Sequence, residues 1–470
     1  MKIKATQIVF CVLSLASLGP ALAQSVEFCS NDIPRALVLS GGGAKGAFEV
    51  GAVWHLVKHR QCDFADISGV SVGALNGAIL AQAPRDQDAS VSLQNMATAV
   101  ERLRSFWLDL RGNDDVYEGR FLGAIGFVLF GRTSMYDSAP LEKRLAKAVD
   151  PTQISKLGRP FRVGVVSMRD GVYYELSPRS EAASAECQIN RNRKFLAAIL
   201  ASASMPSLFP TPFIRRIDDM ASCANDVSRN EDDQFQPFAD GGVSHSTPVP
   251  GYFLQPFFVP RLTIAVGQNS PTPSSDNLPS HAPPLAELIV LLASPFSPAT
   301  SNPTGSEQDK EPRLKGGTDM LKATIDRALT APWRWDMNYA LMANGLLGWK
   351  DSLLLRVDEG LDGSSAEVRA VLDPVRQQLL PTDPAVPFPS VGFPLSSANV
   401  DGRNIPAKYK FTYAAFNPEG IGVDTLEFDP KRLAQAIESG CSQMNRALVK
   451  RYGWSDMESR CADSLPTAKH

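Results

Sequence analysis

The chain has 470 residues, 44% hydrophobic and 21% charged, which fits a globular protein rather than a polyelectrolyte. Its formal net charge of -3 gives no electrostatic case for nucleic acid or an anionic membrane as a partner. Beyond the amino terminus no apolar run reaches the roughly eighteen residues needed to span a bilayer, so a transmembrane anchor is not expected.

In chain order, Met1-Lys2-Ile3-Lys4 is a basic start, residues 8–18 are apolar and Ala21-Leu22-Ala23 is a small-x-small cleavage site. Together they read as a signal peptide over residues 1–23. A mature chain beginning at Gln24 is expected to be soluble and secreted or periplasmic, with its net charge shifted to -5 by loss of Lys2 and Lys4. No cysteine follows the cleavage site, so no lipoprotein anchor is expected. Residues 36–40 then read as a buried strand, and Gly41-Gly42-Gly43-Ala44-Lys45-Gly46 opens a helix whose first turn leaves N–H groups unpaired. Such donors can hold an oxyanion. A second strand over 64–68 runs into Gly69-Val70-Ser71-Val72-Gly73 and a small-residue helix over 74–80. Glycines at 69 and 73 suit a sharp strand-to-helix turn that lifts an exposed Ser71 hydroxyl out of the packing.

A serine is a poor nucleophile until something takes its proton. The five histidines, His55, His59, His245, His281 and His470, stand in no recognisable hydrolase setting. Asp240, in Phe238-Ala239-Asp240-Gly241-Gly242-Val243, is the other candidate base, since two following glycines allow close backbone approach.

In that order, 41–46, 69–73 and 240–242 resemble the patatin-like phospholipase family, whose members use a Ser-Asp dyad. Ser134-Met135-Tyr136-Asp137 with Pro140-Leu141, the small-residue and proline block at 201–210, and Leu426-Glu427-Phe428 with the helix from Lys431 resemble its central, pre-aspartate and closing segments. The resemblance covers residues 35–255 well and later residues in patches. It implies Ser71 as nucleophile, Asp240 as base and the backbone of Gly41, Gly42 and Gly43 as the oxyanion hole. Lys45, Gly46, Gly69, Gly73, Gly241 and Gly242 then serve as motif support, and no cofactor is required. It further implies a lipid substrate met at a membrane or micelle surface. Two departures stand out. Lys45 replaces a common arginine, and Ser244-His245-Ser246-Thr247-Pro248 lacks the asparagines that often precede that proline.

Other readings compete. Gly41, Gly43 and Gly46 with Asp66 also satisfy a dinucleotide fingerprint, though the second strand should then end at the ribose-binding acid, not in a serine elbow. An ordinary α/β-hydrolase places its elbow after more strands and needs a late histidine. A non-catalytic lipid- or nucleotide-binding protein using the glycine loop is the alternative outside enzymes; intact Ser71 and Asp240 disfavour it.

The expected fold is α/β, a parallel-sheet core covered by helices on both faces, with further strands at 161–166 and 262–266. A single domain over 24–470 is expected, with a motif core at 35–255 and a C-terminal elaboration over 256–470. Loop insertions near 269–284 and 295–312 flank an apolar helix at 285–292. Six cysteines remain after Cys11 leaves with the leader, and an oxidising compartment favours disulfides. Cys29 and Cys62 precede neighbouring strands, Cys441 and Cys461 can pair locally, and Cys187 with Cys223 would remain; fifteen connectivities stay open. Nothing has zinc-ligand spacing. Residues 121–130 read as core rather than a lipid flap, and Pro332-Trp333-Arg334-Trp335 as packed rather than an interfacial anchor. The acidic residues Asp218, Asp219, Asp226, Glu231, Asp232 and Asp233 read as a solvated loop, and His245 as a residue that shapes its turn.

Overall fold

The structure is a computed structural model that describes residues 35–119, 134–179, 183–217, 219–228, 234–249, 287–293, 356–362, 364–379, 412–416 and 421–465, with single residues or pairs at 29, 264–265, 336–337, 353 and 418. The leader at 1–23, residues 121–130, the insertions near 269–284 and 295–312, residues 332–335, His281, His470, Asp218 and 231–233 lie outside the described residues.

Among the described residues one sheet holds ten strands: β1 (Arg35–Leu39), β2 (Asp66–Val70), β3 (Phe161–Ser167), β4 (Tyr173–Leu176), β5 (Phe213–Ile214), β6 (Val227–Ser228), β7 (Gln236–Asp240), β8 (Ile264–Ala265), β9 (Glu287–Leu291) and β10 (Thr412–Phe416). The order is β10-β9-β1-β2-β3-β7-β5-β6, with β4 and β8 on the other flank of β3. Strands β10 through β3 are parallel, and the rest pair antiparallel. The sheet is therefore mixed, and of the expected strand at 262–266 the described residues Ile264 and Ala265 pair antiparallel with β4. The flanking helices are α1 (Gly46–Arg60), α2 (Val72–Ala81), α3 (Ala89–Leu108), α4 (Ala139–Ala148), α5 (Pro151–Lys156), α6 (Ala185–Ser202), α7 (Ala366–Leu379) and α8 (Pro430–Tyr452). Among the described residues no helix is long and apolar enough to cross a membrane.

Every residue of β1 and β9 is buried, as expected of central parallel strands covered on both faces. That explains one correction: within residues 285–292, expected as a helix, Glu287–Leu291 form β9. An apolar run of eight fits a strand as well as a helix by periodicity, and the slot between β1 and β10 decides it. Arg35 Nε donates to Glu287 Oε2 at 2.8 Å across the first register pair of β1 and β9. A second correction concerns Leu426-Glu427-Phe428, which form no strand; the closing strand is β10. Those residues lead straight into Asp429, whose carboxylate caps α8 by accepting the Arg432 N–H at 3.0 Å.

Helices α1 and α8 touch backbone to backbone. A Cβ at Gly440 would lie 2.0 Å from the Phe48 carbonyl oxygen, and one at Gly51 would lie 1.8 Å from that of Ile437. Disulfides join Cys29 to Cys62, Cys187 to Cys223 and Cys441 to Cys461. Asp226, expected in a solvated loop, is buried instead: it meets Lys194 Nζ at 3.1 Å, Arg215 Nε at 3.1 Å and Arg216 Nη2 at 2.9 Å. Three cations satisfy a carboxylate that water otherwise would.

Strand β3 acts as a splint for the site. Gly164 pairs with Val70 of β2 on one side and Glu175 of β4 on the other, while Val165 pairs with Asp240 of β7 and Tyr174 of β4. Strands β2 and β7 therefore lie on the same side of β3, end to end and running in opposite directions. Their carboxyl ends meet, which brings the residue after Val70 against Asp240.

Candidate active site

That residue is Ser71. It holds φ 56° and ψ -127°, a conformation that costs a side-chain-bearing residue energy and persists only where its surroundings impose it. Gly73 lets α2 begin directly on the end of β1, since a Cβ there would lie 2.4 Å from the Leu39 carbonyl oxygen. The Ser71 N–H donates to Ser202 Oγ at 2.9 Å, and Ser202 Oγ donates to the Gly164 carbonyl at 2.7 Å. Ser71 is only 5% exposed, in contrast to the exposed serine expected. The glycine loop lies over it, with the Cβ position of Gly41 3.1 Å from Ser71 Cβ.

Asp240 ends β7. Its N–H donates to the Ser204 carbonyl at 3.0 Å, and its Oδ1 accepts the Gly242 N–H at 2.8 Å. The Ser71 hydroxyl lies near enough to its carboxylate to favour the anion. Burial pushes the Asp240 pKa up to about 7, partly offset by the Ser71 hydroxyl and the Gly242 N–H, which favour the anion. A carboxylate tuned that way is a far better base at neutral pH than a solvated one. The block at 201–210 thus orients both partners: Ser202 holds the Ser71 backbone and Ser204 holds that of Asp240.

In the glycine loop, Gly41 donates its N–H to the Ser246 carbonyl at 3.1 Å, Ala44 to Thr425 at 2.8 Å and Lys45 to Gly42 at 3.2 Å. The N–H groups of Gly42 and Gly43 find no acceptor among the described residues. Gly43 has φ +57°, and a Cβ there would strike the Thr425 carbonyl oxygen at 2.2 Å, so only glycine fits. Gly46 sits against Val72, Gly69 against the Gly73 carbonyl and Gly241 against that of Gly164, each too closely for a Cβ. Lys45 is buried beside Gly42.

Beneath the loop lies Glu49, fully buried on α1. Its Oε1 accepts the Ser40 N–H at 2.9 Å and its Oε2 accepts from Asn76 Nδ2 at 3.0 Å. Asn76 Oδ1 in turn accepts from Trp107 Nε1 at 2.8 Å. Burial raises the Glu49 pKa to about 8, against the hydrogen bonds from Asn76 and Ser40. The carboxyl thus ties the stem of the glycine loop to the helix behind Ser71. Its one sequence signal was an acid inside the apolar run Gly46-Ala47-Phe48-Glu49-Val50-Gly51.

His245 does not join Ser71 and Asp240; its Nδ1 lies 2.6 Å from Asp336 Oδ1. Asp66 is the first residue of β2, at the opposite end from the glycine loop, and pairs with Arg162 Nη2 at 3.2 Å. A ribose bound at the loop is out of its reach, which removes the dinucleotide reading. His55 and His59 of α1 and Cys441 of α8 each bring a ligand-type atom within 4.8 Å of the others, a grouping no local spacing reveals. The Cys441 sulfur is bonded to Cys461, and Arg60 Nε donates to His55 Nε2 at 3.1 Å, so neither offers a free donor to a cation.

Residues 37–251 match the family model described as Patatin-like phospholipase. No curated protein matches the chain. Among solved structures, the crystal structure of VipD from Legionella pneumophila aligns over 89% of this chain and 67% of that one, at 12% identity and a TM-score of 0.26. So loose a superposition says nothing further about fold or activity.

Proposed function

Residues 37–251 are a patatin-like phospholipase domain, of a family of lipid acyl hydrolases, and from that premise we propose a carboxylic ester hydrolase that works through a Ser71–Asp240 dyad. The observation that carries the proposal is the end-to-end meeting of β2 and β7 along β3, which sets the strained Ser71 turn against the buried Asp240 carboxylate.

Asp240 takes the Ser71 proton as Oγ attacks the ester carbonyl, and the free N–H groups of Gly42 and Gly43 receive the developing oxyanion. Collapse of the tetrahedral intermediate breaks the ester bond; Asp240 returns the proton to the departing alcohol, leaving an acyl group on Ser71. Water, deprotonated by the same carboxylate, attacks that acyl group and frees the fatty acid and Ser71. No step needs a cofactor. The substrate is a lipid ester met at a membrane or micelle surface. The leader-like residues 1–23 and the three disulfides support export to a secreted or periplasmic location.

Fatty-acid release measured across phospholipids, lysophospholipids and neutral glycerides tests the reading. Ser71→Ala should lower turnover about 10⁴-fold or more and abolish labelling by a fluorophosphonate, while the fold persists. Turnover near that of the unaltered protein would remove Ser71 from the mechanism.

A further inference from the structure

The turn after Asp240 lacks the asparagines that often precede its proline in the family, yet it is not left without support. Asp336, well past the matched residues, reaches it with three bonds. Its Oδ1 lies 2.6 Å from His245 Nδ1, and its Oδ2 accepts from the Thr247 N–H at 3.0 Å and the Thr247 hydroxyl at 3.1 Å. Asp336 is 1% exposed and Thr247 fully buried. The edge of the Tyr173 ring closes over the imidazole with centroids 4.8 Å apart. Between the two anchored residues stands Ser246, whose carbonyl accepts the Gly41 N–H. Asp240 begins this turn, and the glycine loop hangs from its end.

We propose that Asp336 is a positioning residue for the Ser71–Asp240 pair, clamping the 245–247 turn so that the carboxylate base and the glycine loop are held in register. The proposal rests on the hydrolase reading above. An ionised carboxylate only accepts hydrogen bonds, and here both oxygens are filled by donors of one turn. Removing the carboxylate leaves three buried donors without their acceptor, so the turn must rearrange. Two groups of the machinery then move together, because Asp240 and the partner of Gly41 sit on the same turn.

The clamp carries a pH signature. His245 is faced by Asp336, by Glu175 and Tyr173 of β4, and beyond Glu175 by Arg162 and Asp66; Tyr173 also feels Asp240. Burial opposes the imidazolium, but Asp336 and then Glu175 outweigh it and hold the His245 pKa above its ordinary value. The ion pair is therefore complete below the ordinary histidine range and loses its charge component as pH rises through the raised pKa.

Three variants test the clamp. Asp336→Ala should lower kcat about 100-fold with KM within about threefold, the pattern of a displaced catalytic group. Asp336→Asn, the gentler change should the first fail to fold, should lower kcat about tenfold and erase any alkaline decline in kcat due to His245. His245→Asn places an amide N–H where the ring Nδ1–H stood, so it should keep kcat within about threefold and also lose that decline. An active unaltered protein whose Asp336→Ala or Asp336→Asn variant matches it within threefold, with the same pH profile, overturns the clamp alone. An unaltered protein with no hydrolysis overturns both this proposal and the hydrolase reading.

Discussion

Replacing Asp240 by Asn should destroy activity and make the protein more stable at alkaline pH. The carboxyl pKa is raised from 3.8 to about 7, so the folded state keeps a proton that the unfolded chain releases near pH 4. Between those values the native state binds more protons, and stability must fall as pH rises. About three pKa units at 1.36 kcal/mol each give a cost on the order of 4 kcal/mol, fully developed by pH 8. The amide keeps the shape and the acceptor for the Gly242 N–H but never ionises, so the variant escapes that slope. Guanidinium unfolding at pH 4.5 and pH 8, with disulfides intact, should show stabilities within about 1 kcal/mol at the lower pH and a gain of several kcal/mol for the variant at the higher. The same pKa should set the acid limb of kcat/KM in the unaltered enzyme, with activity at pH 5 about a hundredfold below its plateau. A variant no more stable than its parent at pH 8, or an acid limb near pH 4, would refute a buried, desolvated base at this position.

Ser71→Gly should also be inactive, but unlike Ser71→Ala it should gain about 1 kcal/mol of stability, because glycine relieves the φ 56° strain; thermal melts of the two variants side by side check this. Gly440→Ala should cost about 3 kcal/mol or more in denaturant unfolding, since its Cβ would drive α8 off the Phe48 carbonyl of α1, and fatty-acid release should fall with it because α1 carries the glycine loop. Thiol titration of the unfolded, unreduced mature protein should find no free thiol, as all six remaining cysteines are paired. Replacing Cys29 and Cys62 together by serine should lower stability by about 3–4 kcal/mol for a separation of 33 residues, without altering the pH profile of activity.

The residues of the site were legible because their demands are local. A glycine that must take positive φ at 43, or accept a carbonyl against its Cα at 69, 73 and 241, leaves that requirement in the amino-acid string, and a serine between two such glycines marks its own turn. The cysteine pairs were within reach for a related reason: each joins residues no more than 36 apart, flanking elements whose order was readable. Periodicity gave less. The run at 285–292 suits a helix or a strand equally until a parallel slot between β1 and β10 is there to receive it, and the closing strand, expected at 426–428 from the family likeness, is β10 at Thr412–Phe416. Only the tertiary structure could decide how Ser71 meets Asp240, for that depends on β3 pairing with two strands end to end on one side. It alone showed the Gly41 N–H spent on Ser246, leaving Gly42 and Gly43 as donors, and it alone brought Ser202, Ser204 and Asp336 to the site. Backbone conformation is set by each residue and its neighbours, and so is written in sequence. Contacts across a sheet are set by register and by which faces are left to bury, and those exist only once the whole chain has closed on itself.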